Sequence, residues 1–205
     1  MKKVVCLISG GLDSSSMMLL LKEYGYEIYP LHVNYGHRAE QKEWSSCQKV
    51  TDSIHVNRPY KINISGLEVI HSGLLNENLD IVKYAFLPTR NLLFLTLGAA
   101  YAFNLGINTI SIGLLSNPIF PDQSKEFLQQ AKNSLSTALG KKLDILAPFI
   151  DLDKRDIIKL AKKHQLPIEM TYYCHAGTDP PCGVCISCKE RIVAEKMLKA
   201  ESDLL

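Results

Sequence analysis

The chain has 205 residues, of which 46% are hydrophobic and 21% are charged, proportions that are ordinary for a globular protein. With 23 basic and 21 acidic side chains the formal net charge is +2, which predicts no broad basic surface for a nucleic-acid partner. The apolar run at residues 4–8 is too short for a signal peptide or a membrane span, so no membrane partner is expected.

Predicted strands and helices alternate along the chain. Apolar runs ended by turn residues predict strands at residues 3–8, 27–34, 60–64, 108–113 and 143–147. Helical spacing of apolar residues predicts helices at residues 14–24, 38–52, 89–105, 124–139, 153–164 and 189–200. Residues 65–87 carry no clear period and are expected to form a loop with short helices.

This order predicts the α/β fold class, with a doubly wound, mostly parallel, Rossmann-like sheet and right-handed crossovers. The length is sufficient for one such domain with a small appendage. Ligands of these sheets bind at the carboxyl ends of the strands, and the first such end is at Ile8.

The first strand is followed at once by Ser-Gly-Gly-Leu-Asp-Ser-Ser at residues 9–15. The two glycines allow the backbone to approach a phosphate closely, and the free N–H groups at the start of the next helix favour an anion there. The serine hydroxyls can donate to phosphate oxygens, whereas Asp13 would repel a bare phosphate and therefore suggests a bridging Mg²⁺. The string is neither a Walker loop nor a dinucleotide fingerprint. The alternative is a tight strand–helix turn with a serine N-cap.

The same loop resembles the PP-loop of ATP pyrophosphatases, whose members hold the β- and γ-phosphates of ATP on it and release pyrophosphate. The resemblance implies a fold of the adenine nucleotide alpha hydrolase type and an ATP site that runs into the following helix. The residues concerned are Ile8, Ser9, Gly10, Gly11, Leu12, Asp13, Ser14, Ser15, Ser16, Met17 and Met18. Leu31, His32 and Val33 would flank the adenine, although His32 fits a plain strand residue equally well.

Four of the six cysteines lie close together near the C-terminus, as Cys174, Cys182, Cys185 and Cys188. Four thiolates at such short separations suit a tetrahedral Zn²⁺ in a structural site, because nothing marks an open fourth position. An iron–sulfur cluster uses similar spacings, and a redox dithiol would need only two cysteines. Such a cluster indicates a reducing compartment, the cytoplasm. We therefore expect an ATP-binding α/β domain at residues 1–165 and a C-terminal zinc segment with a helix at residues 166–205.

Together with other short motifs, the loop and the cysteines resemble the family of 7-cyano-7-deazaguanine synthases, the nitrile-forming enzymes of the queuosine pathway. The resemblance covers nearly the whole chain. Residues 34–38 read Asn-Tyr-Gly-His-Arg where the family has Asp-Tyr-Gly-Gln-Arg, and residues 87–91 read Leu-Pro-Thr-Arg-Asn where it has Val-Pro-x-Arg-Asn. Residues 153–161 resemble its Lys-x-Glu-Ile-(Val/Ile)-x-Leu helix, and residues 171–188 its Thr-Trp-Ser-Cys followed by three zinc cysteines.

This resemblance implies an enzyme that uses ATP to join 7-carboxy-7-deazaguanine to ammonia. The carboxylate would attack the α-phosphate, ammonia would replace AMP to give an amide, and a second activation would convert the amide to a nitrile. Asp13 and Arg90 are the catalytic candidates, and Arg90 with Mg²⁺ would neutralise charge that develops on the phosphates. On the substrate side the resemblance suggests Tyr35, Arg38, Asn91 and Asp122. For the assembly it suggests a homodimer.

One stretch departs from the family pattern. Where the family carries Asp-Tyr-Ser-Gly-Tyr and then Pro-Asp-Cys-Arg, residues 116–124 read Ser-Asn-Pro-Ile-Phe-Pro-Asp-Gln-Ser. Because this stretch lies by the substrate in the family, a paralogue that joins a related acid to another amine, or stops at the amide, is the alternative. A tRNA-modifying relative would usually bring extra tRNA-binding segments. A non-catalytic nucleotide sensor is at odds with an intact Asp13 and its serines.

Overall fold

The computed structural model describes residues 2–202, with side chains as far as residue 200. Five parallel strands form one sheet in the order β3-β2-β1-β4-β5. The strands are β1 (Lys2–Leu7), β2 (Tyr26–Asn34), β3 (Tyr60–Asn63), β4 (Thr109–Ser111) and β5 (Asp144–Leu146). The helices are α1 (Leu12–Glu23), α2 (Glu40–Ser53), α3 (Arg90–Asn104), α4 (Lys125–Leu139), α5 (Lys154–Lys163) and α6 (Ile186–Ser202). The predicted parallel α/β architecture is confirmed.

Helices cover both faces of the sheet, and successive side chains of a strand point alternately to one face and the other. In β1, Val4 and Cys6 enter a core formed with α1, α2 and α5, whereas Val5 and Leu7 enter a core formed with α3 and α4. This is why β1 reads as an unbroken apolar run in the sequence. The central strand is thereby fixed on both faces, and its carboxyl end is held rigidly.

The topology places a cleft at the end of β1. That strand pairs with β2 on one side and β4 on the other, so the connections leave its end in opposite directions. Such a switch point is where open α/β sheets bind ligands. The loop predicted to hold phosphate lies there, between β1 and α1.

A third cluster ties the C-terminal segment to the predicted loop at residues 65–87. Leu74, Ile81 and Leu87 pack in one cluster with Tyr35 and with the four C-terminal cysteines. The loop contains turns and one short 3₁₀-helix, Leu67–Val69, as expected. Ala194 of α6 packs in the first core together with residues of the predicted N-terminal domain. The division of the chain into two domains at residue 165 therefore stays a prediction.

Three helix starts differ from the predicted bounds by two or three residues. Helix α1 begins at Leu12 rather than at residue 14. Helix α2 begins at Glu40 rather than at residue 38, because Gly36 takes φ +74° and donates its N–H to Asn34 Oδ1, which forms a turn first. Helix α6 begins at Ile186 rather than at residue 189, so Cys188 lies in its first turn. Over residues 2–202, no helix combines the length and the apolarity needed to cross a membrane.

Candidate active site

The loop after β1 is held in shape by its own serines. The Ser9 amide donates to Ser14 Oγ at 3.2 Å, and the Gly11 amide donates to Ser9 Oγ at 3.3 Å. Gly10 has φ +75°, and a Cβ there would lie 2.6 Å from the backbone oxygen of Glu43. Only glycine fits this position, because helix α2 packs directly on the loop.

The loop opens into a cavity of about 250 Å³ at the carboxyl ends of β1, β2 and β4. The predicted ATP-site residues that line this cavity are Ile8, Ser9, Gly11, Leu12, Asp13 and Ser14. Ser15 and Ser16 are buried on α1, and Met17 and Met18 lie in the core, 0% and 1% exposed. The two methionine side chains therefore face away from the cavity, and contact with a nucleotide is left to the first turn of α1.

A lysine that the sequence analysis did not single out reaches the loop. Lys154 Nζ donates to both carboxylate oxygens of Asp13, at 2.7 and 2.6 Å, and lies 3.9 Å from Glu190 Oε2. Burial raises the pKa of the Glu190 carboxyl. Lys154 is the first residue of α5, directly after the N-cap Asp153, whose carboxylate accepts from Arg155 N and Asp156 N. The sequence predicts a helix start at residue 153, which places Lys154 in the first turn. The pairing of Lys154 with Asp13 follows only from the fold.

Arg90 lines the cavity at the start of α3, with its guanidinium carbon 5.9 Å from the centroid of the Phe94 ring. The next residue, Asn91, is buried and is fixed by Asp122. The Asn91 amide donates to Asp122 Oδ2 at 3.0 Å, and Asn91 Nδ2 donates to the Asp122 carbonyl at 2.9 Å. Asp122 therefore satisfies an unpaired N–H of the first turn of α3 and sets the position of Arg90.

The other two substrate-side candidates lie apart from each other. Tyr35 lines the cavity, and burial raises the pKa of its hydroxyl to about 12. Its ring stacks on His37 with 4.4 Å between the ring centroids. Arg38 instead turns towards the loop at residues 65–87, where its Nη1 donates to the Gly73 carbonyl at 3.4 Å.

Buried and half-buried polar groups form one wall of the cavity: His32, His37, Glu43 and His175. Of these, sequence reasoning singled out only His32. His37 Nε2 lies 3.6 Å from Glu43 Oε2. Burial, with His32 and Arg90 nearby, lowers the pKa of His37 to about 3, and burial raises the pKa of Glu43 to about 8. Glu43 sits on a helix rich in polar residues, so no sequence signal separates it from its solvent-facing neighbours.

The four C-terminal cysteines come together as predicted. Their Sγ atoms all lie within 4.8 Å of one another, and Cys182 Sγ lies 3.9 Å from Cys188 Sγ. Tetrahedral zinc–sulfur bonds of about 2.3 Å place two sulfurs roughly 3.8 Å apart, so the arrangement fits a metal. Burial opposes ionisation of Cys174, but hydrogen bonds from Cys182 and Thr178 outweigh it and lower the pKa to about 6. All six cysteines are free thiols.

The cysteine segment contributes directly to the cavity. The Tyr172 amide donates to the Gly10 carbonyl at 3.0 Å, which joins the segment to the phosphate loop. Tyr173 and Arg191 also line the cavity, with the guanidinium carbon 4.3 Å from the ring centroid. Three cations, from Arg90, Lys154 and Arg191, thus surround a loop with free backbone N–H groups. The site is suited to a polyphosphate and to a reaction in which negative charge develops on it.

Comparisons with known proteins agree with this geometry. The model of the family described as "Queuosine biosynthesis protein QueC" matches residues 3–199. A 7-cyano-7-deazaguanine synthase from Nautilia profundicola is 33% identical over 94% of this chain and 92% of its own. One from Aquifex aeolicus is 35% identical over 92% of this chain and 94% of its own. A 4-thiouridine synthetase solved with RNA and bound ATP has a similar fold, with a TM-score of 0.55 and 18% identity over 99% of this chain and 51% of that one.

Proposed function

The chain belongs to the QueC family of queuosine biosynthesis proteins, and we propose that it is a 7-cyano-7-deazaguanine synthase that uses ATP to convert a carboxylate to a nitrile. The observation that carries this proposal is the phosphate loop at a cavity lined by three basic side chains. A paralogue with another amine, or one that stops at the amide, is not favoured, because relatives that match over most of the chain are synthases.

ATP would lie with its β- and γ-phosphates on the loop at residues 9–14, where the amides at the start of α1 have no partner within that helix. Arg90 lines the same cavity and is aimed by the pairing of Asn91 with Asp122, so it can meet a phosphate without reorganisation. Lys154 already lies beside the loop, and its ammonium group can turn from the Asp13 carboxylate to a phosphate of the nucleotide. Hydrophobic side chains at the strand ends, Leu31 and Val33, would flank the adenine.

The acid would bind where its carboxylate faces the α-phosphate. Attack by the carboxylate oxygen forms an acyl-adenylate, and pyrophosphate leaves with the electron pair of the broken P–O bond. Ammonia then forms a C–N bond at the acyl carbon, and AMP leaves. The amide oxygen then attacks the α-phosphate of a second ATP, and pyrophosphate leaves. The C–O bond breaks, with its electron pair going to AMP, and the nitrogen loses its two protons to water as the nitrile forms.

Two metals are proposed on the residues present. Mg²⁺ would be held by Asp13 with phosphate oxygens, and Glu190, close to Lys154, is the next carboxylate. When bound, it would screen the charge on the phosphates. Zn²⁺ would be held by the four clustered cysteines in a structural site that fixes the segment carrying Tyr172 and His175. The free thiols support a cytoplasmic location.

The altered stretch at residues 116–124 forms part of the cavity. Ile119, Phe120 and Gln123 line it, and the Phe120 ring stacks on Phe86 with 4.8 Å between centroids. Gln123 Oε1 accepts from the Ile119 and Phe120 amides at 2.8 and 3.0 Å, which holds the turn in place. A flat base could pack on this apolar wall, so the departure does not exclude a deazaguanine substrate.

A product assay by mass spectrometry tests the proposal. Purified protein receives ATP, Mg²⁺, ammonium and 7-carboxy-7-deazaguanine. We expect the nitrile, with AMP and pyrophosphate released. An amide that is never converted, or no turnover although ATP binds, would contradict the synthase function.

A further inference from the structure

One wall of the cavity contains buried nitrogen atoms that lack a hydrogen-bond partner within the described part of the chain. They are His32 Nε2, His37 Nε2 and His175 Nδ1. All three side chains line the cavity. Buried polar atoms are rarely left unpaired in folded proteins, so an arrangement of this kind at a cavity wall indicates a ligand that supplies the missing hydrogen bonds.

His32 has a defined tautomer. Its Nδ1 lies 3.0 Å from the carbonyl oxygen of Ile8, which can only accept, so the hydrogen of the ring is on Nδ1. Burial also lowers the pKa of the ring, which keeps it neutral. The Nε2 atom of His32 is therefore a fixed acceptor, and the missing group must be a donor.

His37 and Glu43 face each other across a gap. The 3.6 Å between His37 Nε2 and Glu43 Oε2 is too long for a hydrogen bond. The two side chains are 3% and 15% exposed, and the His37 ring is fixed by stacking on Tyr35. A small donor that bonds to both groups would close the gap.

We propose that Glu43, His37 and His32 form the binding site for the ammonium nucleophile, and that Glu43 removes one of its protons. Ammonium is a small cation with several N–H donors, which matches one carboxylate and two neutral imidazoles. A metal ion fits less well, because in residues 2–202 only the four cysteines bring three or more ligand atoms within reach of one ion. This inference rests on the proposed function, since that reaction consumes ammonia.

The proposed step is balanced and lies next to the reaction centre. One proton passes from ammonium to the Glu43 carboxylate, and the free electron pair of ammonia forms the C–N bond at the acyl carbon. The C–O bond to AMP breaks, AMP takes its electron pair, and the second proton leaves to water. The Glu43 backbone packs against Gly10 of the phosphate loop, so the cluster borders the place where the acyl-adenylate would form. Because burial raises the pKa of Glu43 to about 8, the carboxylate that accepts the proton forms on the alkaline side of neutral pH, and a bound ammonium cation would favour it.

Steady-state kinetics with ammonium chloride test the site. For Glu43→Gln we expect an ammonium KM raised by roughly tenfold or more, the loss of one charged hydrogen bond, with less than about a twofold change in the KM of ATP and of the acid. His37→Phe keeps the ring stacked on Tyr35 but removes the nitrogen, and should raise the ammonium KM in the same way. Asp52→Asn is the matched control, because Asp52 lies exposed on the same helix and does not line the cavity. It should leave the kinetics unchanged.

Two further measurements separate this site from the proposed function. Acid-dependent exchange between ATP and pyrophosphate, without ammonium, reports adenylation alone; its absence in the wild type would refute the proposed function. Binding of ¹⁵N-labelled ammonium, followed by NMR with ATP present, tests the site without turnover. Unchanged ammonium KM in both Glu43→Gln and His37→Phe would overturn the site, as would unchanged ammonium binding. If Glu43→Gln does not fold, as judged by circular dichroism, His37→Phe decides the question.

Discussion

Replacing Lys154 with methionine should slow ATP-dependent turnover far more than it destabilises the fold. The lysine is 13% exposed and bonds to both oxygens of Asp13. Without it, the Asp13 carboxylate faces the phosphates directly. Two unit charges about 4 Å apart interact by about 4 kcal/mol at an effective dielectric constant of 20. With allowance for solvent and Mg²⁺, about 2–3 kcal/mol of lost stabilisation corresponds to a roughly 30- to 150-fold loss in kcat/KM.

The assay is pyrophosphate release at varied ATP, together with ATP binding by calorimetry. Lys162→Met is the matched control, because Lys162 is exposed on the same helix, and it should behave as the wild type. The free energy of unfolding of Lys154→Met should fall by less than about 1 kcal/mol, since partly exposed ion pairs contribute little. If kcat/KM stays within threefold of the wild type, the role of Lys154 is refuted. Tighter ATP binding would mean that the lysine only blocks Asp13.

Three other changes are predicted. Cys182→Ser should lose the bound zinc in elemental analysis, whereas Cys6→Ser, outside the cluster, should keep it; full metal content in the first variant would exclude a four-cysteine site. Gly10→Ala should destabilise the fold by about 2–4 kcal/mol in urea unfolding, because its Cβ meets backbone at 2.6 Å, whereas Gly140→Ala, with open space and the same sign of φ, should cost only about 1 kcal/mol. Since the folded pKa of Glu43 is raised to about 8 from 4.5, the contribution of Glu43 to the free energy of unfolding should fall as pH rises from 6.5 to 8, by at most about 1.4 kcal/mol per unit. The difference between the wild type and Glu43→Gln separates this contribution from that of Cys174, whose lowered pKa acts in the opposite direction. Glu43→Gln should flatten that limb, and an unchanged slope would argue against a buried carboxyl. Below pH 6.5 the buried histidines act in the opposite direction, because the unfolded chain takes up protons that the folded rings exclude.

The parallel sheet could be predicted because its central strand β1 is buried on both faces and therefore stands out as an apolar run. The phosphate loop was equally visible, because glycines and serines directly after such a run have a local physical reason to be there. Helix bounds were less certain where a turn precedes the helix, as at Gly36 before α2. The positive φ of that glycine delays the first helical turn by two residues, and the sequence pattern does not reveal it.

The wall of the cavity formed by Glu43, His37 and His175 could not be predicted, since it is made by elements far apart in the chain. Glu43 is one polar residue among many on α2, and His175 follows a cysteine in a loop. What distinguishes them is burial beside the cavity, and burial of a polar residue has no periodic signature. Met17 and Met18, which the resemblance places in the ATP site, have their side chains in the core, so their part in that site stays a prediction.

The cysteine segment and the phosphate loop form one site, although they lie at opposite ends of the chain. The Tyr172 amide donates to the Gly10 carbonyl, so the conformation of the glycine that admits phosphate depends on the segment beside the cysteines. A Cβ on Gly177 would clash with the Arg38 carbonyl, so the segment also packs on the turn just before α2, the helix that carries Glu43. A structural metal would therefore act on catalysis through position: by fixing the segment it fixes the loop on one side and the buried carboxyl on the other. The predicted division at residue 165 stays a prediction, and residues from both sides of it line the same cavity.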